Sequence, residues 1–465
     1  MINEQIFFAL NPWQVGDWFV DKHLIPRSIQ SKLSHQINNS YIQILIGARR
    51  TGKTTLMLQC IDHLLHHQNI PPKNIYYLNF DDIELRSELK KNPHLLLEMI
   101  ELFSGKSITE NPASIYMFLD EVQKYPEYFD QIKLIYDTFR SRLRFTLSGS
   151  AALEIGSRTA ETFAGRAQYN YLFPFSLKEI ISHNFSGIEM PSLLFQLLNH
   201  QFQPNKFREI YSHLLPINNK LISLLQKILI CGLLPEPFLA SDEQKAVEYL
   251  RQYRQTYLER DIRSLTQVGN LEDFSRLLNL IILQVGNLLV KSRFASDVGI
   301  AQNTVVKYLS ILEQTFVLER VRPYTTHIRK RLVKIPKIYF FDVGFFSVTS
   351  GLRSYEVLKT SEKLGAVFEN LCFNEIRKII SAAIPSSNIL FWRTAGGAEV
   401  DFVIENNNQL IPVEVKFSNS YGQSDLKNLL RFKQNYPAKV RKMIVIYNGP
   451  VKMDSNIIFV PLWLI

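Results

Sequence analysis

Residues 47–54, Gly47-Ala48-Arg49-Arg50-Thr51-Gly52-Lys53-Thr54, spell G-x-x-x-x-G-K-T. This octapeptide constrains the fold more than any other stretch. It follows an apolar run, Ile42 to Ile46, and leads into Thr55-Leu56-Met57-Leu58-Gln59. Strand, glycine-bounded loop and helix form the setting in which the pattern has a mechanism. Gly47 and Gly52 let the backbone turn tightly and aim successive N–H groups at a phosphate. The helix opening at Lys53 adds its positive end to the same point. Lys53 is suited to the β- and γ-phosphates, and the Thr54 hydroxyl to Mg²⁺. Residues 47–55 are therefore expected to bind a nucleoside triphosphate, ATP, with Mg²⁺.

A second signal lies downstream. Ser114 to Leu119 is a short apolar strand that ends in Asp120-Glu121. Alone, two acids after a strand describe a solvated turn. After a phosphate loop they read as a metal-holding Asp120 and a general base, Glu121, that polarises the attacking water. A further strand, Arg144 to Leu147, ends at Ser148-Gly149-Ser150. Ser148 is placed to contact the γ-phosphate or the water, with a plain Ser-Gly turn as the alternative.

The alternation of strands with 10–15-residue helical stretches from 41 to 175 predicts a parallel sheet with helices on both faces. Ile75–Phe80 is read as a strand, and 56–66, 93–103 and 128–139 as helices. Residues 1–40 are a lead-in with one helix, Pro26 to Ile37. Residues 176–290 are helical. Residues 291–341 read as a winged helix-turn-helix, with Val305, Leu309 and Leu312 on one helix face. Seven Lys or Arg between Arg320 and Lys337 make its wing basic. With a net charge of +10, this points to DNA or RNA as a partner held through phosphates. The three cysteines are isolated in apolar contexts, as in a reducing cytosol, and the ten histidines show no ligand spacing. No secretory leader or membrane span is expected, so the location read from the sequence is cytoplasmic.

Residues 342–465 read as an αβ unit with a polar constellation. Glu399 to Glu405 and Ile411 to Phe417 alternate polar and apolar around a turn, which predicts a hairpin. Strand period puts Glu399, Asp401 and Glu405 on one face of the first strand, and Glu414 and Lys416 on one face of the second. Facing carboxylates repel unless a cation joins them, and Asp401 and Glu414 are candidate Mg²⁺ ligands. Lys416 would stabilise transition-state charge. Glu369, on the helix around Val367, Phe368 and Leu371, is a candidate third carboxylate. The alternative is a polar hairpin face with an ordinary Glu–Lys pair.

In order along the chain, these segments resemble a family of bacterial and archaeal AAA-type ATPases. Its members fuse a P-loop core to a winged helix and a PD-(D/E)XK nuclease-like domain. The resemblance is carried by GARRTGKTTL at Gly47–Leu56, FLDEVQ at Phe118–Gln123 and LSGSAA at Leu147–Ala152. It continues through AGRAQYNYLFPFSLKE at Ala164–Glu179, YLERDI at Tyr257–Ile262, KYLSILEQTFVLERVRPY at Lys307–Tyr324, PKIYFFDVG at Pro336–Gly344, GAEVDFVI and IPVEVK. It implies that Arg166 approaches the γ-phosphate, in cis or from a neighbouring subunit of a homo-oligomer. The expected fold class is α/β: a P-loop NTPase sheet, a helical region, a winged helix and a restriction-nuclease-like αβ domain. The expected function is ATP hydrolysis coupled to nucleic-acid binding or processing. The alternative is a nucleotide-switched interaction or signalling ATPase with an inactive nuclease-like scaffold.

Overall fold

Strands buried on both faces need continuous apolar sequence, and two runs in the first third of the chain supply it. They are β1 (Ile42–Ile46) and β3 (Ile115–Asp120), every residue of which is buried. With β2 (Ile75–Asn79), β4 (Leu143–Gly149) and β5 (Ala167–Tyr171) they form a parallel sheet in the order β2-β3-β4-β1-β5. Helices Lys53–His66, Leu95–Ser104 and Phe129–Phe139 connect the strands. Two apolar clusters fill the sheet's two sides, one around Ile44, Met117 and Leu147, the other around Leu45, Leu56 and Phe118. The computed structural model describes residues 3–465 except 22, 112, 151–160, 186–187, 189, 191, 257–269, 353 and 385, with the side chains of 328 and 383 also left out. Ala151 and Ala152 of the LSGSAA segment, and Tyr257–Ile262, lie outside the described residues.

The chain divides into two compact units. One covers 1–173 with 314–316, the other 174–313 with 317–465. In the first, both sheet edges differ from the sequence reading. Strand β5, with the sequence AQYNY, was not expected. As an edge strand it is only half-buried, so it carries no apolar run. Asn170 on it donates to the buried Gln43 of β1 at 3.1 Å. The opposite edge, β2, is covered by the lead-in, which holds a helix at Glu4–Leu10 as well as one at Gln30–Gln36. The Asn11 side chain donates to Tyr77 O (2.9 Å) and accepts from Tyr77 N (2.7 Å). Trp13 Nε1 donates to Ile75 O at 3.0 Å. Side chains thus satisfy main-chain groups that an open edge would expose.

The second unit begins with helices, among them Pro204–Leu214, Asn218–Cys231, Glu243–Thr256 and Leu271–Leu283. Among the described residues, Pro204–Cys231 is the one stretch long and apolar enough to cross a membrane, with mean hydropathy 1.3. A 3₁₀ turn at Leu215–Ile217, containing Pro216, interrupts it. Helices Lys291–Val298 and Gln302–Gln314 follow, separated by Gly299 at φ +77°. Val305, Leu309 and Leu312 on the second are buried.

The strands read as a wing, β6 (Leu318–Pro323) and β7 (Lys337–Phe340), do pair antiparallel. The basic run between them forms a helix, Ile328–Val333. Strand β6 then continues, parallel, onto β8 (Asn388–Arg393). An eight-stranded sheet results, in the order β12-β13-β11-β10-β9-β8-β6-β7. Its other members are β9 (Glu399–Asn406), β10 (Gln409–Val415), β11 (Met443–Ile446), β12 (Lys452–Asp454) and β13 (Ile457–Val460). The boundary expected at 341/342 therefore runs through one sheet. Strands β9 and β10 are the expected hairpin, with Asn407 at φ +52° in its turn.

Candidate functional site

The loop after β1 shows why its glycines are needed. A Cβ on Gly47 would lie 2.3 Å from Leu172 O, so any side chain there forces β1 and the residue after β5 apart. Gly52 sits at φ +93° as the helix cap, a region costly for other residues. Thr51 Oγ1 donates to Ala48 O at 2.9 Å. Lys53, only 5% exposed, donates to Gly47 O and Ala48 O, both at 3.0 Å. Its ammonium is thus folded across the mouth of the loop. Arg49 and Thr55 are half-buried, and Arg50 and Thr54 are exposed. The structure also recruits a residue the sequence did not reveal. Arg27, from the lead-in, donates to Thr51 O (2.8 Å) and Phe173 O (2.6 Å). It braces the loop from 24 residues upstream, and no local pattern marks it.

Asp120 is fully buried at the end of β3. Its Oδ2 accepts from Thr54 Oγ1 (2.6 Å) and Tyr77 OH (2.8 Å). Its Oδ1 accepts from Ser148 Oγ and from Glu121 N (3.0 Å). The hydroxyl and carboxylate that would share a Mg²⁺ are therefore already in contact, and their oxygens suit that hard cation. Ser148, expected at the nucleotide, is committed to Asp120 instead. Tyr77 is the missed fourth partner. Burial and the adjoining Asp120 push its phenol well above the ordinary range. Glu121 occupies the left-handed region (φ +54°, ψ +38°), a conformation worth about 1–3 kcal/mol of strain in a non-glycine residue.

Arg166 lies elsewhere. Its carbonyl accepts from Ile42 N at 2.8 Å, at the start of β1, whereas the phosphate loop leaves the end of β1. Five strand residues put about 16 Å between them. Its guanidinium is held by Asp137, with Nε–Oδ1 at 2.7 Å and Nη2–Oδ2 at 3.1 Å. The expectation that Arg166 acts in cis is thereby overturned, because strand length separates it from its own loop. A role toward a second copy is left.

In the second unit, Glu369, Asp401, Glu414 and Lys416 are brought near one another. Burial first, then Glu369, raises the Asp401 carboxyl above the ordinary carboxylate range. Burial first, then Asp401, raises Glu414 in the same direction. Lys416 Nζ is 3.3 Å from Glu414 Oε1, and Val415 N donates to Asp401 Oδ2 at 2.8 Å. Glu414 Oε2 is buried without a hydrogen-bond partner in the structure. An orphaned oxygen beside a second raised carboxylate is the chemistry of a cation site, so Asp401 and Glu414 fit one hydrated Mg²⁺. Glu369 does not extend that set. Its Oε1 accepts from Lys337 Nζ (3.0 Å) and Tyr339 OH (2.5 Å). Among the described residues no group of three or more His, Cys, Asp or Glu is arranged to hold a metal ion. The face expected for Glu399, Asp401 and Glu405 is not shared. Between Val400 and Val403 the pairing with β8 slips by one residue, which puts Glu405 opposite in phase to Glu399, and Arg331 holds Glu405 at 2.6 and 2.8 Å.

Lys337 was expected on the basic wing. It is 3% exposed, and its Nζ also lies 2.6 Å from Glu399 Oε1. Arg320 is likewise engaged, bidentate, with Glu313. Arg322, Arg329, Lys330 and Lys334 are exposed. Three of the seven wing cations are therefore partnered within the fold. The clue in the sequence was phase: Lys337 and Tyr339 leave β7 on the same side, and both reach Glu369.

Comparison with known proteins adds three family matches. Residues 39–181 match the family described as an AAA domain. Residues 222–356 and 364–465 match two domains of unknown function. The cluster thus takes Lys337 and Tyr339 from one match and its carboxylates from the other. Uncharacterized proteins of Mycobacterium tuberculosis and Mycobacterium bovis are each 22% identical over 390 residues, 84% of this chain and 73% of theirs. An uncharacterized protein of Haemophilus influenzae is 22% identical over 437 residues, 92% of this chain and 95% of its own. Among solved structures, AMPPCP-bound DnaA from Aquifex aeolicus aligns over 64% of this chain and 89% of that one, at 15% identity and a TM-score of 0.25. PCH-2 of C. elegans aligns over 41% of this chain and 58% of that one, at 16% identity and a TM-score of 0.25. The glycine-bounded loop before a buried strand-end aspartate and the match over 39–181 agree that this chain carries an AAA-type P-loop ATPase domain.

Proposed function

We propose that the chain binds ATP with Mg²⁺ at Gly47–Thr55 and hydrolyses it. The carrying observation is the contact of Thr54 with Asp120 at 2.6 Å, with Glu121 next in the chain. Mg²⁺-ATP, when bound, supplies the phosphoryl group and the charge neutralisation that phosphoryl transfer needs. Lys53 would leave the two loop carbonyls to pair with phosphate oxygens. Thr54 and Asp120 would hold the ion, and Glu121 would take the proton of the attacking water. The test is hydrolysis by the Glu121→Gln protein, which should bind ATP and fail to turn it over.

Arg166 completes this site only from a neighbouring copy. Arg166→Ala is expected to bind ATP normally and to lose turnover by about 10³-fold, the scale of a missing transition-state arginine. Mixing it with inactive Glu121→Gln protein should restore activity, because one kind of interface then holds an intact Glu121 and an intact Arg166. A wild-type rate for Arg166→Ala alone, or a mixture as inactive as its parts, would end this assignment.

The output is proposed to be a nucleic-acid transaction through a winged-helix segment and a nuclease-like C-terminal sheet. Exposed Arg329, Lys330 and Lys334 support binding, and the Asp401–Glu414 pair supports phosphodiester chemistry. One observation favours the second reading, a nucleotide-switched ATPase on an inactive scaffold: Lys337 and Tyr339 hold Glu369 out of the cation site. Reversing Arg329, Lys330 and Lys334 to Glu should weaken duplex binding and reduce its log-log salt slope by roughly 3. Cleavage that disappears in Asp401→Ala would favour the first reading. Binding without cleavage would favour the second, and salt-insensitive binding would remove the phosphate contacts.

A further inference from the structure

Glu121 is fixed at two points. Its N–H is anchored on Asp120 Oδ1 at 3.0 Å, and its carboxylate accepts a hydrogen bond from Gln123 Nε2. The same nitrogen donates to Ser150 Oγ at 2.9 Å. Both amide hydrogens of Gln123 are thereby used, one on each partner. Gln123 is 6% exposed and Ser150 8%. Gln123 Oε1 is buried with no hydrogen-bond partner in the structure. An amide left with an orphaned oxygen is normally better turned over. Here a turn would set that oxygen against the Glu121 carboxylate, so the contact with Glu121 decides the orientation.

The link reaches toward the phosphate loop. In the sheet register Gly149 of β4 is opposite Ile46 of β1. Ser150 follows Gly149 in the chain, as Gly47, where the loop begins, follows Ile46. The short 3₁₀ turn Val122–Lys124 sets Gln123 between Glu121 and that strand end.

We propose that Gln123 is a positioning residue that orients the Glu121 carboxylate against the phosphate end of the loop, using Ser150 as its anchor. This rests on the reading of Glu121 as the general base. It assigns to the DEVQ stretch a duty beyond metal and base, and it makes the β4 tip part of the hydrolytic geometry.

The experiment compares Gln123→Met, Gln123→Glu and Ser150→Ala with wild type and Glu121→Gln, in steady-state ATP hydrolysis and in binding of a fluorescent ATP analogue. Gln123→Met keeps the size and loses the donors. Its kcat is expected to fall roughly ten- to hundredfold, the scale of one hydrogen bond to a charged group, with nucleotide affinity unchanged. Gln123→Glu sets a like charge beside Glu121 and should fall further. Ser150→Ala frees the anchor and should lose less than Gln123→Met; it also serves if Gln123→Met does not fold. A role confined to packing would instead lower thermal stability and nucleotide affinity and leave kcat intact. Wild-type kcat in both Gln123→Met and Ser150→Ala, with Glu121→Gln inactive, overturns this inference alone. A wild-type rate in Glu121→Gln overturns the base reading and this inference with it.

Discussion

Glu121→Gln protein is expected to bind ATP as wild type does and to lose hydrolysis by about 10²–10⁴-fold, the usual worth of a positioned general base. The substitution preserves the side chain's shape and removes only its basicity. The strained backbone at φ +54° and the anchored N–H stay as they are, so the defect should fall on kcat. Lys53→Ala should behave in the opposite manner. Its ammonium bonds Gly47 O and Ala48 O at 3.0 Å, and its loss removes the charge that would meet the β- and γ-phosphates, so nucleotide affinity falls first. Steady-state hydrolysis beside equilibrium binding separates the two. Equal kcat in Glu121→Gln and wild type would show that another group takes the proton.

Lys337→Met is expected to destabilise the second unit by about 3–5 kcal/mol, the cost of breaking a buried ion pair by removing one partner. Lys337 is 3% exposed and holds Glu369 at 3.0 Å and Glu399 at 2.6 Å. Burial alone would lower its pKa, but Glu369, Asp401 and Glu399 outweigh burial and raise it above the ordinary value of 10.5. A raised lysine stabilises the fold at every pH below its unfolded value. That contribution is lost only as pH climbs through the folded one. The substitution should therefore act in full at neutral pH. Neutralising a partner as well, in Lys337→Met with Glu369→Gln, should recover part of the loss, because the two sites are coupled. Denaturant unfolding followed through the aromatic residues of this sheet measures both. A wild-type midpoint in Lys337→Met would show that the cluster is solvated and the ion pairs weak.

Much of the first unit was legible because its determinants are local. Apolar runs at Ile42–Ile46 and Ile115–Leu119, glycines at 47 and 52, and acids at the end of β3 are neighbours in sequence as well as in space. Edge strand β5 was not legible: half-exposed residues need no apolar signature. Neither was the lead-in's cover of β2. Asn11 reaches Tyr77 across 66 residues, and no period connects them.

The C-terminal cluster divides in the same way. Strand alternation placed Glu414 and Lys416 on one face of the run from Ile411. In β9 the period breaks between Val400 and Val403, where pairing with β8 slips by one residue, so alternation did not set the faces of Glu399, Asp401 and Glu405. What each group then does depends on which elements are laid against it. Lys337, a phosphate contact by its basic neighbourhood in sequence, becomes a buried counter-ion because β6 and β7 join the far edge of the eight-stranded sheet. Arg166 follows the same logic, set at the start of β1 and away from its own loop by strand pairing. Turn chemistry and short-range period were enough for the glycine-bounded loop, the strand-end carboxylates and the hairpin turn, but not for the phase of β9, which a one-residue slip against β8 resets. Tertiary structure alone decided which charges meet, because the energy of a buried charge depends on partners distant in the chain and on the water they exclude.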